Sequence, residues 1–271
     1  MKIAVLGHTG MGGKAISDAL VERGHEVVGL STHGEKIASR PGLTSRTLDI
    51  WDTEALTEAL RGQDVVVSAF AGGHTMDPAV FYRHTEGTRR VIKAFKNAGA
   101  GYLLYVGGAA SLYVKPDVQM FDDERFPHWY FGTAPAVFLH WLGDITGQEF
   151  FHEAAARRER GELGEYELDP VVEEYVKAWD KVPLLEACRI SLDLFVGRTD
   201  FTWSFLSPPW LYRPGKGSGT YRLGVDYMIF HDGGRPAGIN VPDLALAVAD
   251  EAESRVLVHK HWTVAGDQHD S

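Results

Sequence analysis

A short apolar strand that runs straight into clustered glycines, and then into a helix, leaves a chain few architectures. The first sixteen residues, MKIAVLGHTGMGGKAI, have this form. Residues 3–6 read as a buried strand ended by Gly7, and residues 11–22 carry helical spacing closed by Gly24. Within Gly7-His8-Thr9-Gly10-Met11-Gly12-Gly13, the glycines at 7, 10 and 13 form a GxxGxxG. The first permits a tight strand-to-helix turn. The middle one lets a phosphate approach backbone that a Cβ would shield, and the last permits close helix–sheet packing. The helix beyond offers unpaired N–H groups and partial positive charge. The loop therefore reads as a dinucleotide-phosphate loop; a purely structural turn is the alternative.

Strand and helix then alternate. Residues 26–31, 44–50, 64–70 and 102–106 read as strands, as do 202–206 and 261–264. Helices are expected from Asp52 or Thr53 to Arg61, from Asp77-Pro78 to Ala98, and over 242–253. Parallel strands need crossover helices, so the pattern predicts an α/β fold, a doubly wound parallel sheet of Rossmann type with helices on both faces. A ligand would sit at the carboxyl ends of the strands. Between Gly108 and Phe201 the rhythm breaks. That stretch is first rich in aromatics (Phe121, Phe126, Trp129, Tyr130, Phe131, Phe138, Trp141) and then highly charged. It reads as a helical insertion after the fifth strand, residues 126–181, plus one crossover helix over 171–196.

The chain of 271 residues shows no Pro/Ser-rich linker, so residues 1–271 are expected to form one domain. A formal net charge of −10 argues against non-specific nucleic-acid binding, which needs clustered cations, and against docking on anionic lipid. Cys188 is the only cysteine and no run approaches the ~20 apolar residues of a membrane helix, which points to a reducing, cytoplasmic setting.

The loop GHTGMGG resembles the GATGxxG loop of atypical short-chain dehydrogenase/reductase proteins, in their NmrA-like and NADH-flavin-reductase-like branch. LDIWD (48–52), YVGGAASLYV (105–114), FLSPPWLYRPGKGSGTYRLG (205–224) and INVPDLALAVADEAE (239–253) resemble the same branch, whereas 126–181 does not. The resemblance implies that Gly7, Thr9, Gly10, Met11, Gly12 and Gly13 hold the pyrophosphate. It places Ala69, Phe70 and Ala71 along the cleft, Gly107 and Gly108 near the nicotinamide, and Asp49 among the cofactor-binding residues. His8 replaces the usual alanine and is read as a side chain tolerated at the solvent edge, with a phosphate contact as the alternative.

An acid at the end of the second strand would select NAD; here Ser31, Thr32, His33 and Lys36 stand instead, which favours NADP over NAD. The Tyr–Lys pair of typical short-chain dehydrogenases is missing. Its YxxxK spacing occurs only at Tyr212 to Lys216, where Pro214 and Gly215 forbid a regular helix. Tyr175 has Trp at 179 and Lys181 nearly two turns away. Ser111, just after the fifth strand, is the better-placed candidate, with Tyr113 and Tyr175 beside it as catalytic candidates. Glu149 and His152 have an ExxH spacing without the companion motif a di-metal site needs, so no metal is expected. His259 and His261 read as a surface pair, His128 and His140 as isolated, and residues 157–160 as a solvated helix face. The insertion reads either as a lid meeting Trp210 over the site or as an oligomerisation surface.

The function expected is hydride transfer from NAD(P)H to a small conjugated acceptor, flavin- or quinone-like, whose proton comes from solvent. A non-catalytic NAD(P)-binding regulator is the alternative, and sugar-nucleotide epimerisation is disfavoured by the missing Tyr–Lys pair.

Overall fold

The computed structural model describes residues 1–179 and 182–266. The chain runs β1 (Lys2–Leu6), α1 (Met11–Glu22), β2 (Glu26–Ser31), β3 (Leu43–Thr47), α2 (Thr53–Leu60), β4 (Val65–Ser68), α3 (Ala79–Ala98) and β5 (Leu103–Val106). A small hairpin of β6 (Tyr113–Lys115) and β7 (Val118–Gln119) leads into α4 (His128–Gly132), α5 (Ala136–Thr146), α6 (Glu149–Glu159) and α7 (Pro170–Lys177). The sheet resumes through α8 (Pro183–Asp193) and β8 (Trp203–Leu206). Then come β9 (Leu211–Arg213), β10 (Arg222–Val225), β11 (Gly238–Asn240), α9 (Val241–Ser254) and β12 (His261–Ala265).

The main sheet has the order β10-β12-β8-β5-β4-β1-β2-β3. Order reverses at β1, with β2 paired on one side and β4 on the other, both parallel. The sheet is Rossmann-like, as the alternation predicts, except that β10 pairs antiparallel to β12 at one edge. Each central strand is buried on both faces. Ile3 and Val5 pack with Ile16, Leu20, Leu244 and Val248 of α1 and α9, while Ala4 and Leu6 pack with Leu56, Val91, Phe95 and Leu192. This two-sided burial is why the strands read as unbroken apolar runs.

Local chemistry sets the helix boundaries. Asp52 caps α2 by accepting from the Ala55 N–H at 2.9 Å, and Gly99 ends α3 at φ +64°. The helix expected over 171–196 is two helices. Asp169 caps α7 and Pro183 opens α8, and Pro183 cannot continue a helix arriving from α7. Only α8 packs on α3 as the crossover. The third strand stops at Thr47, three residues short of the expected end, where residues 48–52 turn toward the Asp52 cap.

Helices α4 to α7 share an aromatic core with Trp210, which follows β8. Phe131, Phe138 and Tyr130 meet the Trp210 ring edge-on at 4.9, 5.3 and 5.8 Å, and its Nε1–H donates to the Tyr130 carbonyl at 3.0 Å. The charged run 157–160 is not a solvated face throughout. Arg158 is buried and donates to the carbonyls of Gly132, Glu167 and Gly164, and Arg157 pairs with buried Asp169 at 2.8 Å. His140 is not isolated: its Nδ1 lies 3.1 Å from the Nδ1 of His152. Nor are His259 and His261 a surface pair. His259 sits outside β12 at φ +56°, and His261 is buried within it. Among the described residues no helix is long and apolar enough to cross a membrane.

Candidate functional site

A cavity of about 550 Å³ opens at the carboxyl ends of β1, β2, β4, β5 and β8, at the point where strand order reverses. The glycine loop forms one wall. Gly7 has φ +75°, and a Cβ there would lie 2.5 Å from the Ala69 carbonyl oxygen. A Cβ on Gly13 would collide with the Gly7 carbonyl. Gly10 differs: a Cβ would touch only the Gly7 oxygen, at 3.3 Å, with open space beyond. Gly10 is the N-cap of α1, no side chain caps the helix, and its first turn holds no acid. Its leading N–H groups therefore meet the cavity unclaimed, as an anion site requires.

Fourteen of the fifteen residues expected around the cofactor line this cavity: Gly7, Thr9, Gly10, Met11, Gly12, Gly13, Ser31, Thr32, Asp49, Ala69, Phe70, Ala71, Gly107 and Gly108. Lys36 does not. It is exposed in a single turn of 3-10 helix after β2, off the cavity wall. The Ser31 hydroxyl is buried there without a hydrogen-bond partner. Glu35 is turned away toward the Thr47 hydroxyl, 3.0 Å off, so no carboxylate of that turn enters the cavity.

His8 corrects the solvent-edge reading. It is fully buried on the sheet side of the loop, with Nε2 2.9 Å from the Ser45 hydroxyl, and its ring occupies the space a Cβ on Gly29 would need. Burial holds its pKa below the ordinary histidine value. The histidine thus replaces alanine because Gly29 makes room for it, and it does not line the cavity.

The three catalytic candidates also lie off the cavity wall. Ser111 is buried, donating to the Gly108 carbonyl at 2.8 Å and lying 2.6 Å from the Ser207 hydroxyl, which is 2.9 Å from His261 Nε2. Tyr113 packs against the Tyr227 ring on the β6 side. Tyr175 is 56% exposed and stacks on Phe150 at 4.7 Å, because α7 turns that face away from its core. Lys181, the distant partner considered for Tyr175, lies outside the described residues.

In their place the cavity holds ionisable groups not expected at the site from sequence: His74, His84 and Cys188, with Tyr212, rejected there for want of a helix, against the loop. His84 Nδ1 accepts from the Gly72 N–H at 3.2 Å, which leaves the proton of the neutral ring on Nε2, 3.4 Å from the Tyr105 hydroxyl and 3.6 Å from Cys188 Sγ. Burial, helped by nearby His74, depresses the His84 pKa to about 4, and burial pushes the Cys188 thiol up to about 12. Both are neutral at neutral pH. These residues have no local signature; His84 and Cys188 meet only once α3 and α8 pack together. The opposite wall is aromatic, with Phe131, Phe138, Trp141, Trp179 and Trp210.

Residues 7–136 match a family model described as NAD(P)H-binding. The uncharacterized protein YwnB of Bacillus subtilis is 27% identical over 271 residues, 98% of this chain and 99% of its own. A Bacteroides thetaiotaomicron structure, provisionally named an epimerase, superposes with TM-score 0.73 at 24% identity, covering 100% of this chain and 99% of its own. A Streptococcus pneumoniae structure, provisionally named an NADH-flavin reductase, superposes with TM-score 0.64 at 23% identity, covering 98% and 100%. The N-terminal half is thus similar to NAD(P)H-binding proteins, and the whole chain shares its fold with these two structures.

Proposed function

We propose that this NAD(P)-binding protein is a reductase of the atypical short-chain type that passes hydride to a small, flat, conjugated acceptor of flavin or quinone type. One observation carries the reading: a single cavity joins an unclaimed helix N-terminus and glycine loop to a wall of five aromatic side chains. The loop glycines and Ser31 would hold the diphosphate and adenosine ribose, and Gly107 and Gly108 would lie along the nicotinamide. NAD(P)H bound there supplies the hydride. Phe131, Phe138, Trp141, Trp179 and Trp210 exclude water and offer stacking faces to a planar acceptor. Helices α4 to α7 would act as its lid, anchored through Trp210.

No tyrosine–lysine pair lines the cavity among the described residues, and the His84 ring proton is directed at Tyr105 and Cys188. A proton drawn from solvent after hydride arrival suits this arrangement. It also disfavours epimerisation, which needs a side chain to take and return a proton. The Ser31 and Thr32 hydroxyls at the end of β2, with no acid of that strand or of the turn after it in the cavity, favour NADPH over NADH.

The test is to titrate the purified protein with NADPH and NADH, then add FMN, riboflavin or a quinone and follow the nicotinamide absorbance. Acceptor-dependent oxidation with tighter NADPH binding is expected. Tight nucleotide binding with no oxidation by any acceptor would turn the reading to a regulator that binds NAD(P) without turnover.

A further inference from the structure

We infer that the Tyr212 hydroxyl is a ligand for the diphosphate of a dinucleotide, and that residue 12 is glycine to make room for that hydroxyl. The inference rests on the nucleotide-binding reading of the cavity. Tyr212 stands on β9, which pairs in parallel with β11 in a two-stranded sheet outside the main one. That side sheet carries a C-terminal side chain across to the N-terminal glycine loop. A Cβ on Gly12 would lie 2.6 Å from the Tyr212 hydroxyl oxygen and 3.6 Å from its Cζ. The oxygen alone therefore crowds a side chain at 12, so one or the other must shift; the ring would be an ordinary contact. Gly12 is not one of the three glycines of the GxxGxxG spacing, so the loop motif does not itself require it.

The hydroxyl is buried and has no hydrogen-bond partner, while the residue lines the cavity. A buried donor left unpaired is costly, and native structures keep few of them. Burial also pushes the phenol pKa up, so the proton stays on oxygen and the group remains a donor. Its neighbour is the start of α1, where no side chain and no acid claims the N–H groups. A diphosphate oxygen seated on those N–H groups gives the Tyr212 hydroxyl the acceptor it lacks. The bond would be charge-assisted, the stronger class. Adenosine monophosphate and nicotinamide mononucleotide lack the diphosphate and would draw on it less.

The experiment compares wild type with Tyr212→Phe, Gly12→Ala and the double variant. Each is assayed for thermal midpoint without ligand and for NADPH, ADP and AMP affinity by calorimetry. Tyr212→Phe is expected to keep or raise the ligand-free midpoint, because it removes an unpaired buried hydroxyl. It is also expected to weaken NADPH and ADP about tenfold or more, and AMP by less. Gly12→Ala should lower the midpoint, and adding Tyr212→Phe should restore it. NADPH affinity within twofold of wild type in folded Tyr212→Phe overturns the ligand assignment. A double variant no more stable than Gly12→Ala overturns the account of Gly12. Wild type that binds neither NADPH nor ADP overturns the nucleotide reading itself, and the ligand assignment with it.

Discussion

At the scale of single residues, the glycines of one loop do different work, and substitution separates them. A Cβ on Gly13 would strike the Gly7 carbonyl, which is backbone and cannot step aside, so Gly13→Ala should destabilise the fold. Gly10 has room behind it and an ordinary φ of −75°. Gly10→Val should therefore leave the thermal midpoint within a few degrees of wild type while abolishing NADPH binding in calorimetry. A Gly10→Val protein that binds normally would refute the phosphate role of the loop. His8 belongs to the fold rather than the site. Replacing it by Ala empties a buried space against Gly29 and leaves Ser45 short of a partner, a loss of about 2 kcal/mol by denaturant titration. NADPH affinity should be unchanged in that variant; a fall in affinity would restore the phosphate-contact reading.

Among the elements, the helical segment after β7 depends on two anchors. Arg158 holds three carbonyls with one guanidinium, tying α6 to the end of α4 and to the loop before α7. Burial lowers its pKa, yet the side chain stays charged because the reference value is so high. Arg158→Met should cost about 3 kcal/mol, since the carbonyls at 132, 164 and 167 each lose a charged donor, and only those at 132 and 164 keep a backbone N–H. The second anchor, Trp210, reaches from the sheet into the same aromatic core. Trp210→Ala should cost about 3–5 kcal/mol and open the aromatic wall. Limited proteolysis within residues 160–168 should then speed up, and unchanged cleavage would show that Trp210 is not the anchor.

For the whole molecule, buried neutral histidine sets an acid limit. The folded-state pKa of His84 is about 4 against an ordinary 6.5, so between those values the unfolded chain takes up a proton the folded one refuses. Stability from this group is complete above about pH 6.5 and lost progressively as pH falls toward 4, by about 3 kcal/mol in all. His84→Gln should flatten that part of the stability–pH curve. An unaltered slope between pH 6.5 and 4 would show that His84 is charged when buried. The paired carboxylates act lower: hydrogen bonds and charge from Arg89 and Arg90 hold Glu86 at about 2, beneath this window.

What was readable in the sequence is what short-range physics dictates. The apolar run 3–6, the turn glycines 7 and 13, the Asp52 cap and the Gly99 stop each act within a few residues, so strands, helices and the loop were legible in order. Their alternation limits the topology to a parallel sheet with its ligand cleft at the carboxyl ends. Contacts between distant segments were not legible. His8 looked exposed because its partners, Gly29 and Ser45, lie on the two following strands. Ser111 looked catalytic because nothing nearby shows that Ser207 and His261 draw its hydroxyl into the interior. The charges of 157–160 concealed a buried Arg158, since the carbonyls it serves come from the end of α4 and the loop before α7. Tyr212 was discarded for lacking a helix, yet the side sheet of β9 and β11 brings it to the loop that opens the chain. Local sequence determined which segments form and where a phosphate can meet backbone. Tertiary packing alone decided which side chains reach that place, because burial and hydrogen-bond partnership depend on residues from different elements that the sequence does not place together.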